Sequence, residues 1–208
     1  MVSLINEQWN KLPVSFYERE NAIVIASALI GKILITQIGG IFTAARIVET
    51  EAYNGITDKA SHAFGNRRTA RTEIMYASGG VSYVYLCYGI HHLFNVVTNG
   101  SGVPQAVLVR AAEPVAGIEE MLKRTGKKKV DYSLASGPGN LTRALGISTA
   151  FNGISLTGNT IFIVADDFTV KTSEIMATAR IGVDYAGEDA LLPYRFILKG
   201  NPFVSGKK

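Results

Sequence analysis

Hydrophobic and polar residues alternate along the chain with two different periods, and each period predicts a type of element. Residues 19–31 carry apolar side chains at helical spacing, so this segment is predicted to be a helix. Residues 32–37 and 41–53 have the two-residue period of strands, and Gly39-Gly40 separates them. A Gly-Gly pair between two such segments is typical of a tight β-hairpin.

Further segments with these periods follow, separated by turn signals such as Asn-Gly. In chain order they predict a polar loop over 54–71, paired strands over 81–88 and 91–98, a strand over 105–112, helices over 115–125 and 138–145, a strand over 160–165 and mostly irregular chain thereafter. Runs of strands with the helices grouped elsewhere are typical of the α+β fold class, here around a largely antiparallel sheet. No repeat, low-complexity tract or linker is visible, so we expect a single domain over 1–208.

Composition narrows the class of protein. The chain has 208 residues, of which 47% are hydrophobic, enough to bury a substantial core. Its single cysteine, Cys87, excludes an intramolecular disulfide and a cysteine-based zinc cluster. The most apolar stretch, 22–35, is interrupted and too short to cross a bilayer, and the N-terminus lacks the order of a secretory signal. We therefore expect a cytosolic protein without a membrane partner, or a nuclear one if the source has a nucleus.

The charge pattern is compatible with a polyanionic partner. The formal net charge is +4, and basic residues cluster at Arg67, Arg68 and Arg71 and again within 123–129. Such clusters can contact the phosphates of a nucleic acid. They are also typical of a solvated loop and a polar helix end, so charge alone leaves both interpretations open.

The segment 46–53 places two carboxylates in an otherwise apolar strand. With a two-residue period, Ile47, Glu49, Glu51 and Tyr53 share one face. Two carboxylates beside an aromatic ring could supply a general base. The alternative is a strand whose glutamate face meets water, and the spacing does not distinguish Glu49 from Glu51.

A second unusual feature is the tyrosine-rich hairpin over 81–98. Tyr83 and Tyr85 are predicted on one face of its first strand, with Tyr88 on the other face at a Tyr-Gly tip. An exposed ring at a tip can wedge into a base stack, although strand tyrosines also serve as core and cross-strand packing. Asn95 in an apolar strand needs hydrogen-bond partners, so it belongs to a pocket lining or to a structural network.

Two weaker features complete the search for chemistry. Ser136 followed by Pro138 resembles a helix start, where a phosphate could bind, but a plain capped turn explains it equally well. His91 and His92 are adjacent in a strand and face opposite ways, so they do not form one site. We therefore predict no metal.

Taken in order, these segments resemble the alkyladenine (3-methyladenine) DNA glycosylase family. The resemblance runs from about Ala26 to about Gly146, whereas the first twenty residues and those past about 150 match poorly. Its most specific pieces are Arg46 to Tyr53, Tyr83 to Asn95, Val107 to Pro114 and Ser136 to Leu145. The resemblance implies a single α+β domain with a curved sheet and a protruding hairpin, no metal or organic cofactor, and a monomer that binds damaged double-stranded DNA.

The resemblance also implies catalytic roles. The second glutamate of Glu-Thr-Glu-Ala-Tyr is Glu51, which corresponds to the base that activates water. Arg110, within Val-Leu-Val-Arg-Ala-Ala-Glu-Pro, corresponds to the arginine that helps to hold the water and the glutamate. The resemblance places no lysine to form a Schiff base, so we expect base removal without strand cleavage.

Other positions are implied to recognise the damaged base. Tyr53, His62 and Tyr85 correspond to the walls of the base pocket, and Asn95 to the residue that screens purines by their exocyclic groups. Tyr88 corresponds to the residue that intercalates when the base is flipped. Arg67, Arg68 and Arg71 are candidate phosphate contacts.

The expected reaction is hydrolysis of the N-glycosidic bond of alkylated or deaminated purines. The resemblance does not rank 3-methyladenine, 7-methylguanine, hypoxanthine and ethenoadenine as lesions, nor does it identify an acid for neutral leaving bases. A non-catalytic nucleic-acid binding module is the alternative, but it would leave Glu51 without a task. A small-molecule enzyme such as a formyl-group transferase would need a folate or nucleotide pocket that the sequence does not indicate.

Overall fold

The predicted strands form one antiparallel sheet in the computed structural model, which describes residues 10–19 and 21–206. Its strands are β1 (Ile33–Ile38), β2 (Ile41–Tyr53), β3 (Ser82–Cys87), β4 (His91–Thr98), β5 (Gln105–Ala116), β6 (Ile161–Val164), β7 (Ile175–Thr178) and β8 (Arg195–Leu198). The α-helices in these ranges are α1 (Val14–Tyr17), α2 (Ala22–Leu29), α3 (Ile118–Thr125) and α4 (Pro138–Leu145). Short 3₁₀ segments are Gly55–Thr57, Phe64–Asn66, Glu73–Tyr76, Thr149–Phe151, Thr172–Glu174 and Asp184–Leu191.

The curled sheet has the strand order β3-β4-β5-β2-β1-β6. The long strand β2 pairs with β5 along one edge, while its other edge is shared by β1 and then β8. Strand β7 extends the sheet beyond β8, and each pairing is antiparallel. The predicted α+β fold class with a largely antiparallel sheet is confirmed.

Helices α2 and α4 bury one face of this sheet. Ile25 and Leu29 of α2 and Leu141 and Leu145 of α4 pack in the main apolar cluster, and burial of each such side chain contributes roughly 1.5–3 kcal/mol. Strand residues in the same cluster include Ala45, Ile47, Ala52, Val84, Phe94, Val96, Val107, Val109 and Ala112. Their neighbours in sequence point to the opposite face, so the strand alternation leaves that face free to carry polar side chains.

Most predicted elements coincide with observed ones, including both hairpins and α4. Helix α3 begins later than predicted, because residues 115–116 still belong to β5. The reason is Gly117, whose left-handed backbone (φ 71°) brings it against the Phe42 carbonyl, a close approach that a Cβ would block. Glu20, inside the predicted helix 19–31, lies outside the described residues.

Most of the described chain beyond 165 is irregular or in short 3₁₀ segments, as predicted, but strands β7 and β8 lie there unpredicted. Each has four residues, and β8 pairs with β2 at the site described below. The equally short β6 is a wholly apolar run and was predicted, whereas β7 and β8 each include a polar residue, so neither a two-residue period nor an apolar run marks them. Within the described ranges, no helix has the length and apolar character needed to span a membrane.

A double β-bulge changes which residues of β2 share a face. Val48 has no partner between the pairs Ile47–Ala112 and Glu49–Ala111, and Arg110 is bypassed before Thr50 pairs with Val109. The prediction that Ile47 shares a face with Glu49 is therefore wrong. Ile47 points into the helix-covered core, and the bulge turns Glu49 and the following odd-numbered residues to the opposite face.

Candidate active site

A cavity of about 590 Å³ opens on the sheet face opposite the main apolar cluster. Its walls come from β2, β3, β4 and β5, from the loop residues 60–75, from the turn that joins β3 to β4, from the start of α4 and from residues 181–185. Most of these strand side chains alternate with the apolar residues that pack under the helices. One set of strands therefore supplies the core on one face and the cavity on the other.

The carboxylate of Glu51 lies buried behind two of the residues that line this cavity, Tyr53 and Arg110. Its Oε2 accepts hydrogen bonds from the Tyr53 hydroxyl at 2.9 Å and from Arg110 Nη1 at 3.2 Å. Its Oε1 accepts the backbone N–H of Ile181 at 2.8 Å. Three elements that are distant in sequence thus meet at one carboxylate.

Glu49 has a different set of partners from Glu51, so the structure distinguishes two carboxylates that residue spacing left equivalent. Its Oε1 accepts from Arg110 Nε at 2.9 Å and from Arg195 Nε at 2.7 Å, and its Oε2 accepts the Ser205 N–H at 2.7 Å. Glu49 therefore links β5, β8 and the C-terminal segment. Through Arg110 it also orients the guanidinium that reaches Glu51.

Burial has the largest effect on the pKa of the Glu51 carboxylate. Desolvation raises the pKa of Glu51 above its ordinary value, opposed by the charge of Arg110 and by the hydrogen bonds from Ile181 and Tyr53. The pKa of Tyr53 is raised as well, first by burial and then by the adjacent Glu51 charge. The Tyr53 hydroxyl therefore stays protonated and donates a hydrogen bond to the Glu51 carboxylate.

Aromatic rings form one wall of the cavity. The His62 ring lies 4.9 Å from the Tyr85 ring, and the Tyr83 and Tyr85 rings lie 5.2 Å apart, centroid to centroid. His62 Nδ1 is 2.8 Å from the Tyr83 hydroxyl, and Arg71 lies 4.6 Å above the Tyr85 ring. The wall contains the predicted His62 and Tyr85, together with Tyr83, which the sequence analysis assigned no role.

His62 is neutral at physiological pH. Burial lowers its pKa to about 4, aided by the positive charges of Arg71 and Arg67. Arg71 Nη2 is 3.4 Å from His62 Nε2, and an arginine can only donate. Nε2 is therefore the acceptor, and Nδ1–H donates to the Tyr83 hydroxyl.

Asn95 and Tyr88 also line the cavity. Asn95 is buried, and its Nδ2 donates to the Tyr83 carbonyl at 3.0 Å, which fixes the amide in the wall. Tyr88 is 90% exposed at the hairpin tip. Tyr88 and Gly89 both have positive φ, so the strand alternation ends at this turn and does not define a face for Tyr88.

The predicted phosphate contacts occupy varied surroundings. Arg67, Arg68 and Arg71 are all exposed, but Arg68 forms an ion pair with Glu73 at 2.7 Å and Arg71 lines the cavity. In the second basic cluster, Lys123, Arg124 and Lys127 form ion pairs with Glu120 or Asp131. Lys128 and Lys129 are exposed.

Residues 180–185 were missed by the sequence analysis. This segment supplies the N–H of Ile181 to Glu51, and its Tyr185 lines the cavity with the hydroxyl donating to the Ala60 carbonyl at 3.1 Å. No motif in the sequence marks it, since its contribution at Glu51 is a backbone N–H. His91 lines the cavity beside the start of α4. Across the described residues, no group of His, Cys, Asp and Glu is arranged to hold a metal ion.

Comparison with known proteins agrees with this geometry. The model of the family described as methylpurine-DNA glycosylase matches residues 15–202. A relative from Desulfitobacterium hafniense, named "Putative 3-methyladenine DNA glycosylase", is 43% identical over 204 residues, covering 95% of this chain and 99% of the relative. Relatives with the same name from Bacillus cereus and Bacillus mycoides are each 46% identical, covering 94% and 93% of this chain and 98% of each relative.

The buried carboxylate, the aromatic cavity and these matches define a DNA glycosylase, a hydrolase of DNA repair that binds DNA. The chain belongs to the methylpurine-DNA glycosylase family. The resemblance expected from the sequence is confirmed, but the expected poor match past about 150 is wrong, because the family match continues to residue 202. That C-terminal part brings Ile181 and Arg195 to the two glutamates.

Proposed function

We propose that this enzyme hydrolyses the N-glycosidic bond of an alkylated or deaminated purine that is flipped from duplex DNA into the cavity. The proposed substrate is damaged double-stranded DNA, the product is an abasic site, and a single copy of the chain is the working unit. The proposed lesions are 3-methyladenine, 7-methylguanine, hypoxanthine and ethenoadenine. The observation that carries this proposal is the buried Glu51 carboxylate, held by three donors beside an aromatic cavity.

In this proposal Glu51 is the general base. The oxygen of a water molecule bonds to C1′ of the sugar while the C1′–N bond breaks, and the electron pair of that bond leaves with the purine. Glu51 accepts the proton that the water loses, and its charge stabilises the positive charge that develops on the sugar. Its raised pKa brings it closer to the working pH, which suits a base.

Arg110 and the aromatic wall have complementary proposed roles. Arg110 forms ion pairs with Glu49 and Glu51, and it holds the Glu51 carboxylate and the attacking water in place. Tyr53, His62 and Tyr85 provide flat surfaces for a purine, and rings of this kind contribute roughly 1–3 kcal/mol per stacked base. Asn95, whose amide is fixed by the Tyr83 carbonyl, is proposed to screen purines by their exocyclic groups.

Exposed residues at and around the cavity are proposed to hold the DNA. Tyr88 fills the gap left by the flipped base, and Arg67, Arg68 and Arg71 contact phosphates. Among the described residues that line the cavity there is no lysine. Removal of the base without strand cleavage is therefore the proposed outcome, since a Schiff base needs an amine at C1′.

The substitution Glu51→Gln tests the general base. It keeps the size and hydrogen-bonding ability of the side chain but removes the basic oxygen. We expect single-turnover base release to fall about 100- to 10,000-fold, with binding to lesion-bearing DNA nearly unchanged. Abasic sites revealed by heating in alkali measure the release for each of the four lesions.

Glu49→Gln is the matched control, because it makes the same chemical change two residues away. A glutamine there still offers an oxygen to Arg110 and Arg195, so we expect base release to fall by no more than about tenfold. If Glu49→Gln were inactive and Glu51→Gln active, the assignment of the base would be wrong. If neither affected an active protein, a carboxylate base would not operate here.

A further inference from the structure

Arg180 and Asp58 form a buried ion pair beside the Glu51 carboxylate, outside the residues so far given a role. Arg180 Nη1 is 2.6 Å from Asp58 Oδ2, and its Nη2 is 2.8 Å from Oδ1, so the pair is bidentate. Their side chains are 0% and 2% exposed. Asp58 belongs to the loop after β2, whereas Arg180 lies far along the chain, so the pair ties two distant segments together.

The guanidinium has further partners around the end of β2. Nη1 donates to the Ala52 carbonyl at 2.9 Å, between Glu51 and Tyr53, and Nη2 donates to the Asp189 carbonyl at 3.1 Å. The guanidinium carbon also lies 5.0 Å from the centre of the Tyr53 ring, at cation–π distance. Arg180 therefore contacts the backbone of Ala52 and the ring of Tyr53.

The residue after Arg180 makes the link to the carboxylate. Ile181 donates its backbone N–H to Glu51 Oε1 at 2.8 Å, and this N–H belongs to the peptide unit that joins Ile181 to Arg180. Because that unit is planar and rigid, anchoring Arg180 on Asp58 fixes where the N–H can point. Without the anchor, only the weaker contacts of an otherwise irregular segment would hold this donor.

We propose that Arg180, held by Asp58, is a positioning residue that keeps the Ile181 N–H on Glu51 and the Tyr53 ring in the cavity wall. The inference rests on the proposed role of Glu51 as the general base. A buried ion pair is a poor device for stability, because desolvation of the two charges offsets much of their attraction. The pair instead contributes by fixing the Ile181 N–H and the Tyr53 ring around the Glu51 carboxylate.

The pH dependence of the reaction can detect this role. Glu51 is faced by Tyr53 and Glu49 on its own strand, by Arg110 on β5, and by Ile181, Arg180 and Tyr185 on the 180–185 segment. The N–H of Ile181 lowers the pKa of Glu51. Its displacement, together with removal of the nearby guanidinium charge, therefore raises that pKa. A smaller fraction of Glu51 is then ionised at acidic pH, so the acid limb of the rate profile moves to higher pH.

The test uses a duplex that carries 7-methylguanine, because this cationic base leaves without needing an acid and reports on the general base. Single-turnover release is measured against pH for wild type and for Asp58→Asn and the double variant Asp58→Leu/Arg180→Met. The double variant replaces the pair by apolar groups, which preserves folding in other buried pairs. For the double variant we expect an acid limb shifted upward by about half a unit or more and a maximal rate reduced by up to about tenfold. Asp58→Asn keeps the guanidinium and loses a negative charge, so its acid limb should shift less while its maximal rate falls. Affinity for the lesion duplex should change by less than about threefold.

A control separates positioning from loss of stability. Ile163→Val removes one methyl group from the helix-covered core, so it lowers the melting temperature without touching the site. Its pH profile should match that of wild type. If the folded double variant also keeps the wild-type acid limb and rate, the pair is only structural and the proposal is overturned. Retention of activity by Glu51→Gln would instead overturn the proposed general base.

Discussion

At the scale of single residues, Tyr88 combines a bulky ring with a backbone conformation that suits glycine. Its φ is 51° and the next residue, Gly89, has φ 74°, a combination found in type I′ turns. For a tyrosine this conformation costs of order 1–3 kcal/mol. The exposed ring buries little surface, so burial does not offset this cost. Such a residue is expected where the side chain contacts a partner, here DNA, that the free protein lacks.

Tyr88→Gly should therefore separate stability from DNA binding. Glycine adopts positive φ without strain, so the melting temperature should stay constant or rise. Affinity for lesion DNA should fall by roughly 1–3 kcal/mol, the contribution of one stacked ring, and the flipped population should shrink. Thermal melting and 2-aminopurine fluorescence on the same variant measure the two effects.

Tyr88→Phe is the matched control, since it keeps the ring and should keep both affinity and flipping. The proposed wedge would be contradicted by a sharply lower melting temperature of Tyr88→Gly together with normal flipping. That result would assign Tyr88 to packing of the hairpin.

At the scale of elements, the double bulge between β2 and β5 brings Arg110 beside both glutamates. Bulges re-aim side chains next to active sites, and here Glu49 and Arg110 are re-aimed together. Strand β8 then supplies Arg195 to the outer side of Glu49. The two arginines on Glu49 thus have different neighbours: Arg110 faces Glu51, whereas Arg195 Nη2 donates to the carbonyl of Ser205 at 2.8 Å.

Substituting each arginine with methionine should show this division. Arg195→Met breaks a buried ion pair that does not include the Glu51 carboxylate, so we expect a loss of about 3–5 kcal/mol in the free energy of unfolding. Base release, measured well below the melting temperature, should remain within about tenfold of wild type. Arg110→Met should lower base release by at least about 100-fold. Urea titrations and single-turnover assays on both proteins provide the comparison, and equal loss of activity in both would contradict it.

At the scale of the whole molecule, the net charge of +4 is unevenly available to DNA. Three members of the 123–129 cluster form ion pairs with neighbouring carboxylates. Arg71 lines the cavity itself, and Arg67 contributes to the positive potential at His62. The basic residues near the cavity are therefore expected to dominate phosphate contacts.

The salt dependence of DNA binding tests this expectation. Each phosphate contact changes the slope of log K against log salt by about 0.9, so contacts from the three arginines near the cavity give a slope of roughly −3. Neutralising Arg67 or Arg71 should reduce the magnitude of this slope by about one unit. Neutralising Lys128 and Lys129 together should leave it nearly unchanged. A wild-type slope near zero would argue against electrostatic binding, and a large effect of the two lysines would move the DNA path to that face.

Local pattern was sufficient to predict the central strands and the three eight-residue helices α2, α3 and α4. The hairpins over β1–β2 and β3–β4 have long runs with a two-residue period and glycine at the turns, so neighbouring residues carry the whole signal. α4 likewise begins at a proline and ends before Gly146. Strands β7 and β8 carry no such signal, because each has only four residues, one of them polar, and shows neither a period nor a continuous apolar run like that of β6.

The sequence by itself determined the α+β class, the family and the set of side chains available for chemistry, because these depend on residue identity and short spacing. Residue spacing left Glu49 and Glu51 equivalent and the family resemblance selected Glu51, but only the tertiary structure gave the physical difference between them, because the bulge and the partners from β5, β8 and the 180–185 segment set the surroundings of each carboxylate. It also revealed Arg180 and the N–H of Ile181. Such contacts join positions more than a hundred residues apart, and no local pattern encodes a distance of that kind.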